Sequence, residues 1–220
     1  MVFFTTALVV AVSLLFGVTG CAFTPEIGEP GGGGEVADRH TPGGMLDRFA
    51  WFQSDPHRDL TEYALCLHPQ YGFFFTSSDA GVIGEEFWTR EQDLAGMQDL
   101  FNAAAQITVR ATIEDTLETQ PCDESRPGDL CTSYAVRIDM TVLAPDPQTH
   151  ESTTYLVNGR ADFVISRDPA DSTLYVIREI HDRTNEAGRP AETTATAIAR
   201  GAGTAVRASS WAGLRRLGAH

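Results

Sequence analysis

The sequence predicts an α+β fold, with helices packed on one face of a mostly antiparallel sheet. Two observations predict it. Between Met45 and Phe101 apolar residues recur at helical spacing, and from Ile107 to Arg183 they alternate with polar residues along four successive stretches. Runs of helices followed by runs of strands point to this class rather than to alternating βαβ units.

In chain order, Met45–Ser54 places Met45, Leu46, Phe49, Ala50 and Phe52 on one helical side, and Asp55-Pro56 ends that helix. Asp59 is positioned to cap a second short helix, with Glu62 at the capping-box position and Leu60, Tyr63, Ala64 and Leu67 as its apolar stripe. His68-Pro69 is expected to stop it. Tyr71–Thr76 reads as an aromatic strand and Ser77–Gly84 as a loop. Thr89-Arg90-Glu91-Gln92 forms a second capping box, opening a helix that turns Leu94, Met97 and Phe101 to one side. Four strands follow: one from Ile107 reaching toward Thr119, then Tyr134–Leu143, Ser152–Ser166 and Leu174–Arg183.

The 220 residues fit one globular domain with tails. A net charge of −14 argues against nucleic acid, because phosphate contact needs a basic face. Lysine is absent, so every permanent cation is Arg, which reads as a codon-composition bias of the source genome. There is no P-loop, dinucleotide fingerprint or metal-ligand cluster, so neither a cofactor nor a metal is expected.

Met1–Gly20 holds the apolar core Ala7–Phe16, too short to span a bilayer and followed by small residues, as in a signal peptide. Val18-Thr19-Gly20-Cys21 resembles the lipobox of bacterial lipoproteins. That resemblance implies cleavage before Cys21, acylation of its sulfur and new amine with palmitate-type chains, and anchoring at the cell envelope. Each buried methylene would add about 0.8 kcal/mol to the anchor. Ala22 in place of Asp favours the outer membrane, facing the periplasm, in a bacterium with two membranes. Met1–Phe4 carries no Lys or Arg, which departs from the pattern; an ordinary signal with an incidental Cys is the other reading. Residues 21–42, with Gly31–Gly34, read as a flexible tether, 43–184 as the folded domain, and 185–220 as a disordered tail. Ser210–Leu217 is long enough only for a short amphipathic turn.

Cys122 and Cys131 frame the turn between two antiparallel strands, and export exposes them to oxidising conditions, so a disulfide is expected. Closing so short a loop contributes about 2–3 kcal/mol. A zinc site is the rival, though no CxxC accompanies them. Cys66, between Leu65 and Leu67, reads as a buried inert thiol.

The helix pair ending in Leu67-His68-Pro69, the Phe-rich strand, Trp88-Thr89-Arg90-Glu91 opening the third helix and the last strand Leu174–Asp182 together resemble the nuclear transport factor 2-like (SnoaL-like) superfamily. The resemblance covers Gly43 to about Arg183. It implies a strongly bent, cone-like sheet around three helices with an apolar pocket at the mouth. Gly159, mid-strand, suits the bend. The superfamily hosts isomerases, dehydratases, ligand binders and interaction modules, so fold does not settle function. Its enzymes use an Asp, His or Tyr in the pocket as acid or base, which makes Tyr63, Asp139, Asp162, His181 and Asp182 the candidates.

Alternation places Asp139 and Asp162 on the wet face, paired with neighbouring Arg residues. In the last strand, Tyr175, Ile177, Glu179 and His181 share one face, and Leu174, Val176, Arg178, Ile180 and Asp182 the other. If the Tyr175 face points inward, Glu179 and His181 stand at the pocket mouth. Against this stands the plainer reading of a polar strand end, and of Tyr63 as a core aromatic with a satisfied hydroxyl. The expectation is therefore a lipid-anchored envelope protein whose domain is a non-catalytic module for a small apolar ligand or an envelope protein. An acid–base enzyme, isomerase or dehydratase-like, is the alternative. A homodimer through the sheet is a further expectation.

Overall fold

The computed structural model describes residues 36–123, 128–145, 152–183 and 204–208. Helix α1 spans Pro42–Trp51, three residues earlier than the apolar stripe suggests, because Thr41 accepts the Gly44 amide at 3.0 Å and Pro42 sits at the first helical turn. Beyond its end, the Ser54 hydroxyl donates to the Ala50 carbonyl and accepts the Val109 amide, both at 2.8 Å. The Asp55 carboxylate accepts the Ile107 amide at 2.6 Å, so α1 is fastened to the first long strand.

Helix α2 is Leu60–Ala64, capped by Asp59 as expected, with its side chain accepting from Thr61 and Glu62 amides. Glu62 does not complete a capping box; its carboxylate pairs with Arg48 of α1. His68-Pro69 does not act as a stop. Both lie inside strand β1, Leu67–Phe74, where the ladder is interrupted and the amide that Pro lacks is not needed. Helix α3, Ser77–Ile83, occupies the stretch expected as loop; Thr76 caps it and Gly84, at φ 85°, ends it in the left-handed region. Strand β2, Phe87–Thr89, leads into α4, Arg90–Ala103. There both halves of the expected box are formed: Thr89 accepts the Gln92 amide, and the Gln92 side chain accepts the Thr89 amide.

Long strands follow: β3 Gln106–Pro121, β4 Leu130–Pro145, β5 Ser152–Arg167, and then the shorter β6 Tyr175–Asp182. Their order is β2-β1-β6-β5-β4-β3, antiparallel except where β1 meets β6, in an unclosed curved sheet. The architecture is the expected α+β class, with helices on the inner face of a bent sheet.

The stretch 185–220, expected as a disordered tail, contributes strand β7, Thr204–Ala208, which pairs parallel with Ser152–Leu156 of β5. The cause lies in β5, which runs well past the end of β6 and otherwise leaves those edge groups unpaired. Packing also begins upstream of residue 43: Val36 touches the core, the Tyr175 amide donates to the Arg39 carbonyl at 2.8 Å, and the Arg39 guanidinium meets Asp168 at 3.2 Å.

The core lies between the helices and the inner face. Phe49, Tyr63, Phe73, Met97, Leu100, Phe163, Ile165, Ile177 and Ile180 are each at most 2% exposed. Burying a side chain of this size contributes about 1.5–3 kcal/mol. The Cys122–Cys131 disulfide is formed, closing the β3–β4 hairpin near its tip. Cys66 is buried and its thiol is pushed up to about 12 by desolvation, consistent with an inert group. Cys21, the signal and lipobox residues, Gly31–Gly34 and Ser210–Leu217 lie outside the described residues.

Candidate functional site

The inner face of β5 presents Val157, Gly159, Ala161, Phe163 and Ile165 in alternation. Gly159 and Ala161 are the small members, and they leave a hollow. Phe73, Ile138, Val157, Phe163 and Ile180 wall a small hollow of about 10 Å3, with Asp182 at its side. The pocket coincides with a gap in the sheet: β6 pairs with β5 only from Ala161 onward, and β7 only up to Leu156. Its lining is hydrophobic except for Asp182 and the Arg160 segment.

Glu179 and His181 do not line this pocket. The β5–β6 register slips between Val164 and Ile165, so Ile165 opposes Ile177 while Val164 opposes Glu179. Arg178 is the extra residue. This bulge exchanges the faces partway along β6: Ile177 is inward, and beyond the bulge Ile180 and Asp182 are inward. Glu179 and His181 therefore stand on the outer face. There His181 Nε2 and Glu179 Oε2 lie 2.8 Å apart, and the imidazole stacks on Phe74 with centroids 4.5 Å apart. The hydrogen bond from His181 holds the Glu179 carboxyl below its ordinary range, against an opposing contribution from burial.

Asp182 is 4% exposed and pairs across the ladder with Ala161. Tyr63 is fully buried in the core; its hydroxyl donates to Asp93 Oδ2 at 2.7 Å, and its ring lies 5.3 Å from Phe49. Sequence reasoning missed Asp93. It sits one helical turn before Met97 and two before Leu100, and this set, rather than Leu94 and Phe101, is the fully buried side of α4. Asp139 and Asp162 lie on the outer face. Asp139 meets Arg137 at 3.2 Å and accepts from Asn158, while Asp162 meets Arg183 at 3.0 Å. Thus the structure brings one carboxylate, Asp182, to the apolar hollow and leaves the other sequence candidates elsewhere.

No protein-family model matches the chain, and no curated protein matches it. Among solved structures it is similar to a conserved protein from Planctomyces limnophilus, at 12% identity and TM-score 0.46 over 63% of this chain and 88% of that one. A protein from Kribbella flavida aligns at 14% identity and TM-score 0.46, covering 63% and 84%. A nuclear transport factor 2 (NTF2-like) superfamily protein from Salmonella enterica aligns at 13% identity and TM-score 0.43, covering 72% and 93%. At these identities and scores the likeness carries nothing about activity.

Proposed function

We propose that this is a lipid-anchored cell-envelope protein whose α+β domain is a non-catalytic module binding a small apolar ligand in the hollow beside Gly159. The supporting observation is the lining: Phe73, Ile138, Val157, Phe163 and Ile180 form an apolar wall, while the Glu179–His181 pair is engaged on the opposite face. An apolar ligand laid against this wall is held by desolvation, with few polar groups fixing orientation. The anchor rests on the lipobox-like Val18-Thr19-Gly20-Cys21, with acylation at Cys21 holding the domain at the envelope, on the outer membrane where two are present. An envelope protein is the other partner class this reading allows, and a homodimer through the sheet remains part of the proposal.

A naphthalene-type fluorescent probe tests the pocket. Ala161→Phe places a ring in the hollow and is expected to weaken probe binding about tenfold or more. Unchanged binding in a folded Ala161→Phe protein would reject the site. Cys21→Ala tests the anchor: the protein is expected to move from the membrane to the soluble fraction and to lose incorporation of labelled palmitate.

The acid–base alternative moves from His181 to Asp182, because Asp182 is the carboxylate that lines the hollow. In the non-catalytic reading Asp182→Asn leaves probe affinity within about threefold. Ligand turnover that disappears in Asp182→Asn would establish the enzyme instead.

A further inference from the structure

We infer that the outer face of the sheet carries a separate binding site for an oxyanion, the carboxylate or phosphate of a small ligand, centred on Arg178 with His68 and Ser166 in its wall. The inference does not depend on the apolar hollow.

Where β1 and β6 run side by side, Leu67 pairs with Ile177 and the next matched pair is Gly72 with Glu179. The whole stretch His68–Tyr71 thus stands against Arg178 alone. The same residue is the extra one in the β5–β6 register. Two bulges meeting at one residue open the sheet, and a groove of about 700 Å3 lies there. His68, Gln70, Ser166 and Arg178 line it, with Asp123 and Asp129 on the β3–β4 side and Asp168 on the β5–β6 turn.

Arg178 and the Nε2 of His68 are the donors this groove offers. Arg39, Arg48, Arg58, Arg137, Arg160 and Arg183 each hold a carboxylate, whereas Arg178, like Arg90, Arg110 and Arg167, holds none among the described residues. Its sequence neighbour Glu179 gives its carboxylate to His181, and Asp168 is engaged by Arg39. His68 is 8% exposed and its Nδ1 accepts the Gln70 amide at 3.0 Å, which leaves the proton on Nε2 as a donor. Ser166 is 5% exposed, and its hydroxyl donates to the Arg167 carbonyl at 3.2 Å, so it forms wall and leaves an acceptor lone pair rather than a donor. Burial and the Arg178 charge hold the imidazole below its ordinary range, with Asp168 acting weakly the other way. An oxyanion seated between guanidinium and imidazole would satisfy both, in the bidentate geometry a planar guanidinium favours. The Asp123, Asp129 and Asp168 carboxylates in the walls limit the ligand to low negative charge, which disfavours polyanions.

The test is an NMR titration of the full chain at low ionic strength, with sodium acetate and inorganic phosphate as separate probes. Saturable shifts of the His68 imidazole resonances are expected with at least one probe. The tighter of the two distinguishes a carboxylate from a phosphate ligand. Arg178→Gln should weaken that binding about tenfold or more, and Arg178→Lys, which keeps the charge and loses the fork, should fall between. If Arg178→Gln does not fold, Arg178→Lys carries the comparison. Absence of saturable shifts with both probes, or full affinity in the folded variant, would overturn the inference.

Discussion

His68 shows how one side chain couples burial to pH. Its neutral form is fixed by the Gln70 amide on Nδ1 and by desolvation, and the neighbouring Arg178 opposes its protonation. The unfolded chain protonates this imidazole near its ordinary value, about 6.5. As pH falls through that value toward the lowered folded one, the unfolded state takes up the proton first. Stability is therefore full above about pH 6.5 and is lost as pH falls. His68→Gln is expected to flatten this part of the dependence, and urea unfolding of both proteins at a series of pH values from about 7.5 to 5 would read it. An unaltered profile in the variant would place the dependence elsewhere. The same residue illustrates what local signals hide. A His-Pro pair reads as a helix stop, and only the long bulge of β1, formed against a distant strand, makes it part of a sheet.

At the scale of elements, the caps were the most legible features. Thr89 and Gln92 form both bonds of their box, and Asp59 caps α2. Each satisfies amides that the first turn of a helix leaves without partners. Thr89→Ala is expected to cost about 1 kcal/mol, measured by urea denaturation, with the Gln92 side chain losing its reciprocal role. A loss below about 0.3 kcal/mol would show that water replaces the cap readily. Helix α3 was not legible from its apolar pattern, because Ser77–Ile83 has no stripe and contains Gly81. Its signals were the boundaries alone, Thr76 before and Gly84 after. Alternation read β4, β5 and the first half of β3 well, where one face is buried; from Glu114 to Pro121 β3 is exposed on both faces. It failed in β6, where period two assumes an unbroken ladder and the Arg178 bulge breaks it.

For the domain as a whole, helix-then-strand order was enough to obtain the class, because burial of stripes and faces is written in spacing. The candidate site was less legible. The hollow arises from Gly159 and Ala161 facing inward in succession, a pattern visible in the sequence but equally suited to a bend. Which polar group stands beside it depended on the register of β6. Strand β7 has no strong local signal: it exists because β5 outruns β6, a long-range condition. Core loss is predictable at this scale. Phe163 packs edge-on against Phe49 at 5.8 Å and also walls the hollow. Phe163→Ala should destabilise by about 3–5 kcal/mol. A differential scanning measurement giving a much smaller loss would mean that the helices close over the vacancy.

The contacts of Arg39 give the sheet a mechanical property. The chain leading into α1 is joined to the first residue of β6 by a backbone hydrogen bond and to the preceding turn by an ion pair. Tension applied from upstream therefore loads these contacts, together with the packing of Val36, before it reaches α1. A pull along the strands would shear several contacts together, whereas a pull across them would unzip the Arg39 attachments singly. The resistance of this domain to being tugged would thus depend on direction, with the Arg39 attachments yielding early when the pull runs across the strands.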